Sequence, residues 1–589
     1  MSTDKITFDK SPTVMNHPAG LFILFFTEMW ERFSYYGMRA LLVLFLVSAV
    51  GLGGWDWTRA EALGLYATYT GLVYITPIFG GLIADRFLGY KMAIAIGALL
   101  MTLGHASMAL ETEMTFYVGL GLLIVGNGFF KPNISSVVSG LYKGQEHKKD
   151  AGFTIFYMGI NAGAFLGILL CGYVGEKVGW SYGFGLAGIF MFLGMLQFWF
   201  AKSMFGTIGD KPVKEDEDTI LVEDESGDEH IEHVSPEQKA IITRDRLTVI
   251  FVLAFFTIFF WMAFEQAGGS MTVFAKDYTD RILTGTAAAS FTIINTIMVL
   301  VPLAILTWVL MLLFKATFKK VALSNLFLGT SFIIIWGIVL WMVNKDFNTK
   351  SYLIDVNNVE ATIRTDANIS VDNTIYVVDV DKQGTYLMKG KDNIESVDEE
   401  IRAIAVPATV KMVKDKELEV PASWFGILNS LFIIIFAPLF SKLWESRYNP
   451  SAPTKFALGL ILLGLGFGVL AYGASSIPLG AKTASVSMIW LMLAYFLHTM
   501  GELTLSPVGL SYVSKLSPPK LLSMMFGLWF TATAVANYLA GLMGSFIDKI
   551  ADEKGLSFFF LIFTAVPIIA GLILIVIRKW MIKKMHGIE

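Results

Sequence analysis

Long apolar stretches recur throughout this chain. They lie near residues 20–50, 60–85, 90–110, 115–141, 152–175 and 182–203, then near 246–275, 285–314 and 321–343, and again near 421–445, 455–475, 486–514, 521–547 and 556–582. A helix crosses a bilayer with about 20 mostly apolar residues. In hydrocarbon each backbone N–H and C=O must be satisfied internally, so segments of this length and apolarity can only be helices. The sequence predicts fourteen spans in a six-plus-eight arrangement and an all-α polytopic membrane protein. Composition agrees, since 55% of the 589 residues are hydrophobic and 16% charged, against roughly a quarter charged in soluble domains. A net charge of −4 argues against a nucleic-acid partner. Cys171 is the single cysteine and lies in an apolar span, so no disulfide framework exists. The N-terminus, with Lys5 and Lys10, runs straight into a full-length span and reads as uncleaved.

Basic residues fix the expected orientation through the positive-inside bias. Arg86 and Lys91 follow the second span, Lys143, Lys148 and Lys149 the fourth, and Arg578, Lys579, Lys583 and Lys584 end the chain. Both termini are then cytoplasmic. The setting expected is a plasma membrane, specifically a bacterial inner membrane.

Two segments are too polar to span. The first, residues 204–245, carries Glu215–Asp218 and Glu223–Glu225 and reads as an acidic, disordered cytoplasmic linker. The second, residues 345–420, alternates apolar and polar residues around 352–356, 361–365, 374–380 and 404–410, with Asn, Asp and Gly between. That pattern predicts a small β domain on the extracytoplasmic side. The expected division is therefore a six-helix bundle over 1–203, the linker 204–245, one helix over 246–280, an inserted helix pair over 281–344, the β insert 345–420, and the rest of the second bundle over 421–589.

Within the first span, residues 28–37 read Glu-Met-Trp-Glu-Arg-Phe-Ser-Tyr-Tyr-Gly. A charge at the bilayer centre costs roughly 2.5–3.5 kcal/mol on insertion scales, so intramembrane charges mark functional sites by default. At about 100° per residue, Glu28, Arg32, Tyr35 and Arg39 fall in one narrow sector with Glu31 on its flank. That face must look into a protein-lined cavity.

These residues carry a family resemblance. Glu28-x-x-Glu31-Arg32-Phe33-x-Tyr35-Tyr36-Gly37 resembles the first-span signature of the proton-dependent oligopeptide transporter family, within the major facilitator superfamily. Gly81-x-x-Ala84-Asp85-Arg86-x-x-Gly89-x-Lys91 is similar to the superfamily loop between spans two and three. Phe156 to Gly163, Phe260 to Gln266, and Gly501 to Ser511 resemble the family signatures of spans five, seven and ten. The resemblance implies two six-helix bundles. It also places the stretch from Pro421 through Asn429 to Pro438 as the eighth family span. The helix pair and the β domain are then inserted between family spans seven and eight, with Lys315, Lys319 and Lys320 at the pair's cytoplasmic turn.

A zwitterionic peptide needs an anionic pole, a cationic pole and amide partners between them. Glu502 suits the ammonium, flanked by Asn161 and Asn429. Arg32 and Lys131 suit the carboxylate, because the guanidinium fork fits it bidentately. Tyr35, Tyr36, Tyr74, Trp261 and Trp529 would line adaptable pockets, and the resemblance implies the same assignments. Asn161 could instead be an interhelical hydrogen bond, and the aromatics could be core. Asn429 stands between Gly426 and Ser430, where the family usually has Gln and Pro. Asp85 and Arg86, at the cytoplasmic loop, read as a structural latch.

Coupling needs an acid whose protonation releases a base. Lys131 sits mid-span in Gly-Phe-Phe-Lys-Pro-Asn and needs a counter-ion, for which Glu28 and Glu31 are the candidates. Glu265 and Arg39 form a second expected pair across the two halves, acting as a gate. His498, near Glu502, reads as a packing residue. The coupling ion would be a proton, with no other cofactor, and the partners would be small peptides or peptidomimetics and the lipid bilayer. Rival readings are a family member moving nitrate or another metabolite, and a peptide-sensing receptor using the β domain and linker as partner surfaces. An enzyme has no support, since no phosphate-cradling loop, metal cluster or nucleophile–base set is present.

Overall fold

A computed structural model describes residues 12–143, 145, 148–211, 236–379, 386–388, 405–445, 449–518 and 522–588. The acidic runs at 215–218 and 223–225 lie outside them. Six helices come first: α1 (Ala19–Val47), α2 (Arg59–Ile83), α3 (Tyr90–Met108), α4 (Glu113–Gly140), α5 (Lys149–Lys177) and α6 (Trp180–Ala201). Here α1 packs along α5 and α6, while α3 packs along α4 and α6, closing one bundle. The second bundle holds α7 (Pro236–Phe264), α11 (Ile427–Glu445), α12 (Ala452–Gly473), α13 (Ile489–Leu516), α14 (Leu522–Gly544) and α16 (Leu556–Lys584), with α12 packed on α13 and α16. Twelve helices among the described residues are long and apolar enough to cross a membrane. By that measure α1, whose interior carries Glu28, Glu31, Arg32 and Arg39, falls short, as does α13.

The close fit of α1 and α5 has a local cause. Glycines recur every fourth residue on α5, at 159, 163 and 167, and so share one face of the helix. A Cβ at Gly163 would come within 2.2 Å of the Met29 carbonyl oxygen and 2.8 Å of the Arg32 Cβ. At Gly167 it would come within 2.2 Å of the Phe33 oxygen. Only a missing side chain lets the two helices touch there, which fixes the charged stretch of α1 in depth and rotation.

Between the bundles in chain order stand α8 (Ser270–Asp277), α9 (Gly285–Thr317) and α10 (Ala322–Asn348). Although they follow α7, α10 packs against α6 and α9 touches α1, so the pair leans on the first bundle. A five-stranded antiparallel sheet then forms from β2 (Lys350–Val356), β3 (Val359–Thr365), β4 (Thr374–Asp379), β5 (Tyr386–Met388) and β6 (Val406–Lys414), in the order β3-β2-β6-β4-β5. Its core is Tyr352, Ile354, Val356, Ile363, Ile375, Val377, Ala408 and Val410, the inward set that period-two alternation selects. A short ladder of β1 (Ile282–Thr284) with β7 (Glu417–Glu419) ties the insert's two ends together. A short helix, α15 (Ile547–Lys554), lies at this same sheet end of the molecule.

Two boundaries differ from those the sequence suggests. Helix α7 begins at Pro236, ten residues before its apolar stretch, because a helix can continue into water on polar residues such as Glu237, Lys239 and Arg244. The single helix expected over 246–280 is broken by a 3-10 turn at Glu265–Gly268 into α7 and α8.

Gly163→Val should overpack the α1–α5 contact at a cost of roughly 1–3 kcal/mol. A thermal-unfolding measurement on the purified protein should show a fall of several degrees. An unchanged midpoint would show that α5 can retreat from α1.

Candidate functional site

Three buried polar clusters occupy the space between the bundles. The first is built on α1, where Glu28 is 2% exposed, Glu31 0% and Arg32 5%. Arg32 Nε donates to Glu28 Oε1 at 2.8 Å, one helical turn away, and forms an ion pair with Glu31 Oε2 at 2.9 Å. From α4, Asn127 Nδ2 donates to Glu31 Oε1 at 3.0 Å. Lys131 follows one turn along α4 and sets its Nζ 4.3 Å from the centre of the Tyr74 ring on α2, a cation–π contact. Both acids expected to neutralise Lys131 are bonded to Arg32, which shares their helix, and remain within electrostatic reach of the ammonium that the Tyr74 ring faces.

The second cluster joins the two bundles. An ion pair links Arg39 of α1 to Glu265, at the break after α7, and Arg39 Nε donates to the Tyr66 hydroxyl of α2 at 2.7 Å. This contact demands Gly268, since a Cβ there would lie 2.1 Å from the Tyr66 oxygen. The third belongs to the second bundle. Asn429 Nδ2 of α11 donates to Glu502 Oε2 of α13 at 2.7 Å and to Thr499 Oγ1 at 3.2 Å.

The aromatic candidates divide. Tyr35 and Tyr36 meet edge-on at 5.1 Å between ring centres. Tyr36 lies within electrostatic reach of Arg32, Arg39, Glu265 and Glu502, so it sits among all three clusters. Asn161 of α5 donates to the Tyr157 carbonyl one turn back, and the Tyr157 phenol lies in the field of both Glu502 and Tyr36. Trp261 packs against Phe260 and Phe264 on its own helix, and Trp529 against Phe456 at 6.1 Å. His498 is 2% exposed and packs 4.4 Å from the Phe467 ring, on the α12 side of its helix. Asp85 and Arg86 are exposed beyond the end of α2.

Sequence reasoning missed Asn127, Tyr66 and Tyr157. Asn127 stands one turn before Lys131, at the i, i+4 spacing that shares a helix face, and that was the available signal. Tyr66 gave none.

Ion pairs between the bundles gather toward the sheet end. Arg59 at the start of α2 meets Asp277 at 2.8 Å and Asp548 at 2.7 Å. Lys177, ending α5, meets Glu419 at 3.1 Å, and Arg281 meets the same carboxylate at 3.0 Å. Glu176 accepts from the backbone N–H of Ala422 and Ser423 at 2.9 Å each. At the opposite end, Lys91–Asp210 and Lys584–Asp245 each stay within one bundle. The molecule is therefore latched at its sheet end.

Burial works against ionising Glu419, but Lys177, Arg281 and Arg364 together hold its carboxyl well below the usual carboxylate range. A depressed value means that the latch is fully formed above the ordinary range and fails only in strong acid, so it does not respond to pH between 5 and 8. Glu419→Gln should raise the population open at the sheet end about two- to fivefold, the worth of a partly exposed pair. Spin labels on the sheet-end tips of α2 and α14 should read the same effect at pH 5 and pH 8. An effect confined to pH 8 would show that the latch itself titrates.

A model of the POT family matches residues 91–215, 210–367 and 405–583. The chain is 30% identical over 587 residues to the di-/tripeptide transporter of Lactococcus lactis subsp. cremoris, covering 98% of each chain. It is 28% identical to the peptide transporter YePEPT of Yersinia enterocolitica subsp. palearctica, over 92% of this chain and 90% of that one. Among solved structures, a peptide transporter POT in complex with alafosfalin superposes with a TM-score of 0.66, at 26% identity and 98% coverage of both chains.

Proposed function

The chain belongs to the POT family, and from that premise we propose that it is a secondary active transporter importing di- and tripeptides, and peptide-like compounds, by proton symport through alternating access. Charge across the buried site carries this reading. Four carboxylates (Glu28, Glu31, Glu265 and Glu502) stand against three cations (Arg32, Arg39 and Lys131) around one space. Buried charge is tolerated when paired, and a zwitterionic peptide brings no net charge. One proton balances the site when a peptide enters.

In this reading Glu502 takes the peptide ammonium, held in place by Asn429, with Asn161 bonding the peptide backbone. Arg32 and Lys131 take the carboxylate. Tyr35, Tyr36 and Tyr74 line the side-chain pockets, with Trp261 and Trp529 behind them. Protonation of Glu28 or Glu31 loosens its hold on Lys131 and frees Arg32 from one of its two carboxylates, so proton and peptide bind cooperatively. Arg39 and Glu265 form the gate between halves, closed when ionised. The latched sheet end faces outside, the site opens to the linker side, and both termini are cytoplasmic in a plasma membrane. The topology is fourteen spans: twelve in two bundles, plus the pair α9–α10, with an extracytoplasmic β domain.

The energy is sufficient. One charge crossing 100 mV yields about 2.3 kcal/mol, and a tenfold gradient costs about 1.4 kcal/mol.

Labelled dialanine should accumulate in liposomes holding the purified protein under an inward proton gradient, and an uncoupler should abolish accumulation. Glu31→Gln should lower uphill uptake at least tenfold and reduce counterflow of labelled for unlabelled peptide far less. Uphill uptake surviving in both Glu28→Gln and Glu31→Gln would overturn the coupling scheme. Absence of peptide uptake under any gradient would overturn the substrate class.

A further inference from the structure

A buried acid that gains and loses a proton in each cycle has a problem of partners. Ionised, it needs donors. Protonated, its new O–H needs an acceptor, and an unmet polar group at depth costs about 1–3 kcal/mol. Lys, Arg and Trp can only donate, and an ionised carboxylate can only accept. A carboxamide answers both, with N–H donors on one arm and a carbonyl oxygen on the other.

Asn127 is such a group. It is 1% exposed, and its Nδ2 donates to Glu31 Oε1 at 3.0 Å. Among the described residues its Oδ1 is buried without a hydrogen-bond partner, as is Glu31 Oε2, although Arg32 Nε stands 2.9 Å from the latter. The residue is also held firmly. On one side of it, Thr76 of α2 donates to the Ile124 carbonyl at 2.8 Å. On the other, Gly80 of α2 approaches the Gly128 carbonyl so closely that a Cβ would lie 2.1 Å away. Two contacts from α2 thus clamp α4 on both sides of Asn127 and hold its backbone in place.

We infer that Asn127 is a positioning residue for proton coupling, holding the Glu31 carboxyl in both protonation states and marking Glu31, rather than Glu28, as the acid that carries the proton. This rests on the reading of the chain as a proton symporter. When Glu31 is ionised, the amide N–H bonds to it. When a proton from the aqueous side adds to a Glu31 oxygen, the amide turns and its Oδ1 accepts the new O–H. Loss of the proton toward the other side reverses the turn. Among the described residues Glu28 is bonded by Arg32 and its Oε2 has no hydrogen-bond partner, so no comparable amide serves it there.

The titratable groups around Glu31 are Glu28 and Arg32 on its own helix, Lys131 on α4 and the Tyr69 phenol on α2. From α5 and α6, the stretch of α1 around it meets Gly163 and Phe190. The pH response of this acid is therefore set by a short list of neighbours, one of which is the amide.

The test is the profile of labelled dialanine uptake against pH, for the full-length protein in liposomes, with and without uncoupler, in the wild type, Asn127→Leu and Asn127→Asp. Leu removes the donor from the ionised acid and the acceptor from the protonated one. The bond to the charged form is the stronger, so the profile should move about one pH unit toward alkaline values, the difference between the two bonds. Asp has nearly the size of Asn and keeps the test open if the Leu variant fails to fold. It should move the profile further in the same direction, because two adjacent carboxyls share one proton. Variant profiles that superimpose on the wild type after scaling, or that move toward acid, would overturn the assignment and leave Asn127 as helix packing. Wild-type uptake indifferent to the uncoupler would instead overturn the symport reading, and the assignment with it.

Discussion

The pairing of Arg32 with Glu28 and Glu31 is the constraint on which the rest of this molecule depends. A helix at bilayer depth cannot carry three charges unless they satisfy one another or meet partners on its neighbours. Arg32 sits one turn from Glu28 and next to Glu31, so the helix neutralises most of its own charge within a single turn. The contact off the helix does depend on the rotational setting, because the turn must face α4 for Asn127 to donate to Glu31. The glycines at 163 and 167 of α5 supply the setting by letting α1 lie flush at Met29 and Phe33. Electrostatics thus dictates the face, and close packing behind it holds the face in place.

A second consequence concerns how the halves are joined. The α9–α10 pair belongs by chain order with the second bundle but rests on α6 and α1 of the first. Tyr173 of α5 donates to Asp346 at the end of α10 at 2.8 Å, and Lys177 reaches Glu419 just before the second bundle resumes. The insert is therefore bonded to the first bundle at its sheet end while its chain leads into α11. Any motion that parts the halves there must break the Lys177–Glu419 pair or drag the insert along.

Much of this was legible in the sequence because periodicity and charge neutrality are strong rules. Angular position on an ideal helix gathers Glu28, Arg32, Tyr35 and Arg39 before any coordinates exist. A cation at depth demands an acid, which makes Arg39 and Glu265 readable as partners across 226 residues. At Lys131 the rule is met at longer range, with Glu31 and Glu28 within electrostatic reach and the ring of Tyr74 in close contact. Neutral groups leave no such trace. An amide like Asn127 is equally at home in a helix core, and a tyrosine like Tyr66 is one of twenty in the chain. Apolarity also marks where hydrocarbon ends, not where a helix ends, so the polar first turns of α7 were invisible.

The cross-bundle pair explains why opening at the sheet end should be conditional. Arg39 and Glu265 are 8% and 5% exposed, and Tyr66 occupies Arg39 Nε. Separating them leaves two desolvated charges, and breaking a buried pair by losing one partner typically costs about 3–5 kcal/mol. Tyr66 belongs to the same bundle as Arg39, so it stays with the guanidinium when the halves part. Glu265 has no such companion among the contacts described, so once the pair is broken it depends on water. Parting the halves therefore meets its largest electrostatic cost at this pair, and Gly268 lets Tyr66 sit against it, since a Cβ there would lie 2.1 Å from the phenol oxygen.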